Sequence, residues 1–432
     1  MTTHDPMQYV KGLQQLLISD KKRVSFLFGA GTSIAKKDKD KSISVPAIGK
    51  MTSDIEEKLN KTKNYKTVIE EIKEEIQTQA LDYNIESLLS NIEQKINIIG
   101  GGTLNELKKD GFEKLLKEIK KQVREMVSVH KHILQDGNIK YLVHTDFAEW
   151  IGKSDRKHSV EIFTTNYDYL FELGLESKKI PYYDGFTGSY QPFFNSESVD
   201  NLDFIPTQTK LWKLHGSLGW HLNGQTKQVL RKDSDSDDIL IYPSILKYNE
   251  SKKQPYTAMM DRLSNFLQKP DTVLITCGYS FSDEHINERV MTALNTNTTA
   301  HVIALFYDIN WNDNKKEYLL TEGSPLSKLA KSNGKLSVFG CKNAVIDTQY
   351  GKWKLKREPD KDDAINLDIY FDSDAPIDID IPKRNNDSVP EKKGEEKWTG
   401  EGELSLPNFE KFVYFLKSMI INNNLFGDDS NE

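Results

Sequence analysis

Val24-Ser25-Phe26-Leu27-Phe28-Gly29-Ala30-Gly31-Thr32-Ser33 decides the fold class. Residues 24–28 are an unbroken apolar and aromatic run of strand length, with the look of a strand buried on both faces. The run stops abruptly in Gly29-Ala30-Gly31, followed by the hydroxyls of Thr32 and Ser33. A glycine turn at a strand end lets backbone N–H groups approach a phosphate closely. As a dinucleotide fingerprint the stretch is incomplete, because the third glycine falls at Ile34. By itself it reads equally well as a tight turn.

The rest of the chain alternates in the same way. Residues 9–18 have helical spacing and lead into the strand. Beyond residue 159, strands are expected at 160–163, 210–214, 273–276 and 301–306, with helices at 166–174 and 283–294. Such alternation predicts an α/β fold, with a Rossmann-like, mostly parallel sheet covered on both faces. Between these parts, residues 52–150 read as a helical block, with helices at 67–76, 85–98 and 104–134. Leu115, Leu116, Ile119, Val123 and Met126 form one apolar stripe, and Gly100-Gly101-Gly102 breaks two helices. Residues 36–41 are too charged to be buried, and Pro46 suits the first turn of the next helix. Residues 351–432 form a polar C-terminal extension, a charged linker ending in an amphipathic helix over 406–421. The expected organisation is therefore 1–51 and 151–350 as one discontinuous Rossmann domain, 52–150 as an inserted helical domain, and 351–432 as the extension.

Composition removes several function classes. Apolar residues at 37% support a real core. A net charge of -7 argues against a protein built to grip phosphate backbones, so direct nucleic-acid binding is not expected. Two cysteines, Cys277 and Cys341, cannot make a four-cysteine zinc site. With no apolar stretch of about 18 residues, no membrane span is expected, and a reduced cytoplasmic setting fits.

Three further segments leave predicted strands. Thr164-Thr165-Asn166-Tyr167-Asp168 places an amide and a carboxylate two residues apart, fit for a sugar or a water, or else for capping a helix. Lys213-Leu214-His215-Gly216-Ser217 delivers a histidine into a glycine turn, as a catalyst or as an ordinary packed residue. Gly278-Tyr279-Ser280-Phe281-Ser282-Asp283 is a ligand loop or an N-capping turn. Ligands of open α/β sheets bind outside the carboxyl ends of the strands, so the four loops can converge on one cleft.

Together, in this order, the four segments resemble the sirtuin signature of a GAG-type loop, an NxD segment, an HG turn and a G-x-S loop. The resemblance implies that Gly29, Ala30, Gly31, Thr32 and Ser33 hold the phosphate and ribose of NAD. It implies that Gly278, Tyr279 and Ser280 line the adenosine half, with Asp308 and Asn310 near its ribose. His215 matches the catalytic histidine, Asn166 the amide beside the reacting ribose, and Asp168 the acid near nicotinamide. The chain departs from deacetylating sirtuins in lacking paired zinc cysteines and in carrying Thr165 where a glutamine is usual. That combination is similar to the sirtuin-like NAD hydrolases of bacterial antiphage defence, closest to the form paired with a HerA-type hexameric translocase. It implies NAD as substrate, no zinc, a homo-oligomer, and NAD depletion during infection.

The expected chemistry is hydrolysis of the nicotinamide–ribose bond through an oxocarbenium-like state, with Asn166 positioning water and His215 as general base. Other readings stay open. They are a sensor that binds NAD or ADP-ribose without turnover, a deacylase or ADP-ribosyltransferase, and a nuclease using the acidic run Asp233, Asp235, Asp237 and Asp238. The last looks more like a solvated loop.

Overall fold

The computed structural model describes residues 2–38, 43–79, 82–233, 239–241, 254–312, 315–360, 363, 365–373 and 398–420. Of the acidic run, Asp235, Asp237 and Asp238 lie outside the described residues, as do part of the 36–41 loop and most of the charged stretch 372–397. The chain forms two compact units, Met1–Leu27 with Asp146–Val160 and Ser264–Glu432, and Phe28–Thr145 with Glu161–Leu263. The helical block expected over 52–150 belongs mainly to the second of these. The fold is mixed α/β with a mostly parallel central sheet, as the alternating pattern predicts.

In the first unit the strands run in the order Thr2–His4, Gln349–Trp353, Asn343–Ile346, Leu336–Phe339, His301–Leu305, Thr272–Cys277 and Arg23–Phe28. The strand Thr272–Cys277 pairs in parallel with His301–Leu305, which pairs in parallel with Leu336–Phe339. Asn343–Ile346 then turns the sheet antiparallel on both its sides. Every residue of Thr272–Cys277 is buried, as an apolar run in a doubly covered sheet must be. The helix Glu284–Thr296 starts where the Asp283 side chain accepts from the backbone N–H of His285 (3.0 Å) and of Ile286 (3.3 Å). This is a side-chain cap, which satisfies donors the first turn leaves open. At the end of the helix Pro6–Ile18, the Arg156 guanidinium donates to the carbonyls of Leu17 (2.5 Å), Ser19 (2.8 Å) and Lys22 (3.1 Å). That cation takes up carbonyls the helix cannot satisfy itself. The terminal amphipathic helix spans Phe409–Ser418, and its Phe412 packs on Phe26 at 6.1 Å between ring centroids. Phe26 in turn meets Phe147 edge-on at 5.2 Å. Among the described residues no helix is long and apolar enough to cross a membrane.

The second unit carries Glu161–Thr164, Thr209–Lys213 and Tyr182–Tyr183 as parallel neighbours. A five-stranded antiparallel sheet follows the order Ile239–Ile241, Gly216–Leu222, Val229–Arg231, Phe193–Phe194 and Phe186–Thr187. The helical block comprises Ile48–Leu59, Lys63–Thr78, Ile85–Ile98, Lys109–Val127 and His130–Gln135. Leu88, Leu89, Ile92, Phe112, Leu115, Ile119 and Val123 interlock in its core. Asn84 and Ser87 form a capping box that starts the helix Ile85–Ile98. Gly100 follows its last turn at φ 56°. Glycine adopts that left-handed conformation without strain, and the helix ends there.

The structure departs from three expectations of the sequence. The single helix over 104–134 is two, because Ser128 departs from helical geometry after Val127 and Leu104 bridges Leu107 outside any helix. Pro46 precedes its helix rather than opening it, since Ala47 is the cap residue. The helix expected from Asn166 begins only at Leu170. Its delay has a cause in the site described below.

One buried cluster braces the second unit. Glu161, in the first strand position, accepts from Arg262 Nε (2.8 Å), from the Arg262 terminal nitrogen, and from Trp212 Nε1 (2.8 Å). The side chains of Arg262 and Glu161 are only 2% and 7% exposed, so neither charge can fall back on water. Removing one partner strands the other, at a cost of about 3–5 kcal/mol. Arg262→Met should therefore lower the urea-unfolding free energy by about that amount, whereas a loss under about 1 kcal/mol would show the pair to be dispensable.

Candidate functional site

The glycine turn and the Asn166–Asp168 segment are fastened together by side chains. Gly29 is the cap residue of a short helix, Ala30–Ile34. Ala30 and Gly31 are exposed at its tip, while Thr32 and Ser33 are buried beneath. Thr32 Oγ1 donates back to the Gly29 carbonyl (2.9 Å). The Asn166 amide nitrogen reaches the Gly29 carbonyl (3.1 Å), Thr32 Oγ1 (3.0 Å) and Ser33 Oγ (2.8 Å). Because the Gly29 carbonyl can only accept, the amide has one possible orientation, with Nδ2 toward the turn. Its oxygen, Oδ1, takes no hydrogen bond from any described residue.

Asp168 completes the link. Its Oδ2 accepts from Ser33 Oγ at 2.6 Å and its Oδ1 from the Leu170 backbone N–H at 3.0 Å. Thr164 Oγ1 accepts from the Asn166 N–H (3.0 Å), and the Thr165 N–H donates to the Phe28 carbonyl (3.0 Å). These local bonds offer the backbone partners other than helical ones, which is why residues 165–169 stay a loop. Both oxygens of Asp168 are thus engaged within the protein.

Below the loop lies a cation that sequence reasoning does not single out. Lys213 Nζ donates to the Asp168 carbonyl, lies 3.5 Å from the Asn166 carbonyl, and pairs with Glu172 at 2.9 Å. Lys213 is 6% and Glu172 12% exposed by side chain. Glu172 Oε2 finds no hydrogen-bond partner among the described residues. Burial pushes the Glu172 carboxyl up to about 7, against the opposing pull of Lys213. Tyr167, also missed, donates to Glu86 on the helix Ile85–Ile98 (3.2 Å), tying the loop to the helical core. Nothing in the spacing of Lys213, Glu172 or Tyr167 distinguishes them from residues of an ordinary strand, helix or turn.

His215 follows directly from the strand Thr209–Lys213 and is half-buried. The Leu214 N–H donates to the Thr164 carbonyl (2.8 Å), and the Leu218 N–H to the Tyr167 carbonyl (3.0 Å), so the HG turn is stitched to the amide loop on both sides. Gly216 sits at φ 100° and turns the chain straight into the next strand. Only glycine holds that conformation without strain. A cavity of about 280 Å³ lies beside Lys213, lined by Tyr169, Glu172, Lys213, Ser217, Trp220 and Arg231.

The remaining expected residues lie in the first unit. Gly278 has φ 64°, Tyr279 is buried with its hydroxyl donating to Asn287 Oδ1 (3.1 Å), and Ser280 is exposed, its hydroxyl 2.7 Å from that of Ser282. Asp308 is fully buried, and its carboxylate accepts from the backbone N–H groups of Cys341 (2.8 Å) and Leu320 (3.2 Å). Asn310 lies in the strand Ile309–Asn312. Among the described residues no group of three or more His, Cys, Asp or Glu is placed to hold a metal ion.

The contacts of Ser33 and Glu172 both bear on stability. Ser33 accepts from Asn166 and donates to a buried carboxylate, so Ser33→Ala should cost about 1.5–3 kcal/mol. A double-mutant cycle with Asp168→Ala should give a coupling above about 0.5 kcal/mol, and additive losses would show that the bond between them carries no energy. Glu172 is more protonated folded than unfolded between the ordinary carboxylate range and about 7. Stability should therefore fall as pH rises through that window. Glu172→Gln should flatten the slope of unfolding free energy between pH 5 and pH 7.5, and an unchanged slope would remove Glu172 as its source.

No curated protein matches the chain. Residues 160–324 match the SIR2-like domain family, a span that holds Asn166, Asp168, His215, Gly278–Ser280 and Asp308 and begins after the glycine turn at 29–31. Over that span the chain is similar to SIR2-like domains.

Proposed function

We propose that this chain is an NAD glycohydrolase, cleaving NAD to nicotinamide and ADP-ribose. The observation that carries the proposal is the fixed Asn166 amide. Its nitrogen is committed to the glycine turn, so its oxygen is the end left to accept a hydrogen bond from water.

In the reaction the bond between the ribose C1′ and the nicotinamide nitrogen breaks, and its electron pair leaves with nicotinamide, which becomes neutral. A water oxygen bonds to C1′, and its proton passes to His215. Imidazole is the side chain best suited to exchange a proton near neutral pH. The leaving group is already cationic, so no acid need protonate it. What the protein must supply is position, a role that suits an amide held by three neighbours. The GAG turn would take the phosphates through the exposed backbone of Ala30 and Gly31, Thr32 and Ser33 being turned inward.

We extend the proposal to the biological level: NAD depletion as an antiphage defence, in a homo-oligomer paired with a HerA-type translocase. The sirtuin-like signature without zinc cysteines supports it. A sensor without turnover has no need of an amide fixed in this way.

The test incubates the chain with NAD, alone and with the product of its neighbouring gene, and identifies the products by chromatography. Nicotinamide and ADP-ribose should accumulate. His215→Ala and Asn166→Ala should each lower the rate about 10²-fold or more. Nicotinamide release at the wild-type rate by His215→Ala would refute the assignment, and NAD bound without turnover in every condition would favour the sensor.

A further inference from the structure

We infer that Lys213 is a positioning residue for this reaction, setting the placement of Asn166 relative to His215; the inference rests on the reading of those two residues given above. Lys213 holds both by different means. Its own backbone leads in two residues to His215, while its ammonium grips the loop of Asn166 from below. The three protons of an ammonium meet three acceptors, namely the Asp168 carbonyl, the Asn166 carbonyl at 3.5 Å and Glu172 at 2.9 Å. The Tyr169 ring lies 5.5 Å from Nζ and closes that side.

Side chains alone cannot fix this loop. The bonds from Asn166 and Asp168 to the glycine turn hold its upper edge, yet residues 165–169 lack the repeating backbone bonds of a helix or strand. The carbonyls of Asn166 and Asp168 both lie against the ammonium of Lys213, a long and buried side chain of the neighbouring strand. Glu172, in the first turn of the helix Leu170–Ser177 that the loop leads into, pairs with that cation. Removing the ammonium leaves two buried carbonyls without their donor, and the loop must shift to find others. A displacement of about 1 Å at a reacting group costs up to about 10²-fold in rate.

The cavity beside Lys213 supplies a test that a merely structural role would fail. In Lys213→Ala the space once filled by Cγ to Nζ adjoins the cavity of about 280 Å³. Propylammonium matches those four atoms one for one. Lys213→Met, which keeps the length without the charge, should lower kcat about 10–100-fold while KM for NAD stays within about threefold. Backbone hydrogen exchange at residues 165–169 should quicken at least tenfold, with residues 286–294 unchanged. Propylammonium should restore activity to Lys213→Ala, and n-propanol, equal in length and uncharged, should not.

Turnover by Lys213→Met within threefold of wild type would overturn the inference, and so would unchanged exchange at 165–169. Loss of activity with no amine rescue and a global rise in exchange would reduce Lys213 to a stability role and overturn it likewise. Exchange is read without substrate. If the wild-type chain releases no nicotinamide, the proposed hydrolase reading falls, while the exchange at 165–169 still decides whether Lys213 holds the loop.

Discussion

A single carboxamide, that of Asn166, fixes the geometry on which the rest of the site depends. Its nitrogen donates into the turn at Gly29, Thr32 and Ser33, more than 130 residues earlier in the chain, in a buried setting. A misplaced amide gives up these buried contacts and keeps none of them, although the Gly29 carbonyl still holds Thr32 and the Ser33 hydroxyl still holds Asp168. The two loops consequently hold one relative arrangement, and whatever reaches Asn166 Oδ1 meets an acceptor whose direction is already set. Preorganisation of this kind costs nothing at the moment of reaction.

Such precision is held at some expense of stability. A buried Lys213–Glu172 pair and a buried Arg262–Glu161 pair flank the same two strands, Glu161–Thr164 and Thr209–Lys213. Apolar residues of equal volume often stabilise such positions at least as well. What ionic groups offer instead is direction, since each can point only at its partner. In Arg262 and Glu161 that direction fixes a strand start. In Lys213 it fixes a loop.

Much of this is legible in the sequence, for identifiable reasons. The apolar runs at 24–28, 273–276 and 301–306 announce buried parallel strands, and glycine or a polar cluster marks where each stops. The hairpin of Asn343–Ile346 and Gln349–Trp353 gives no comparable signal. Its turn puts Asp347 at φ 48° and Thr348 at φ 66°. An Asn-Gly or Asp-Gly pair at those positions would flag it, and Asp-Thr does not. The edge strand Thr2–His4 is equally silent, three residues long and dependent on Gln349–Trp353 for its pairing. In the site, the residue types that chemistry uses stand out, while those that hold them do not. Lys213 looks like any polar residue of a strand, and its burial is a property of what lies opposite. Asn166–Tyr169 reads as helix because propensity says nothing of a serine at position 33 competing for Asp168.

The placement of Asp168 also redistributes the work among the expected residues. Its position in the motif suggests direct contact with nicotinamide, yet one oxygen is held by Ser33 and the other by the Leu170 N–H. Each oxygen keeps a further lone pair, so the carboxylate can accept from a ligand only in the orientation these bonds impose. It can also act at a distance, because a negative charge in a buried site is weakly screened and favours positive charge developing nearby. In the proposed hydrolysis, positive charge grows on the ribose as nicotinamide leaves. Asp168 would then serve the reaction through its field and its bracing as well as through any bond it accepts, beside Asn166 and His215. The Ser33 hydroxyl that holds Asp168 also accepts from the Asn166 amide, so one set of bonds orients both side chains.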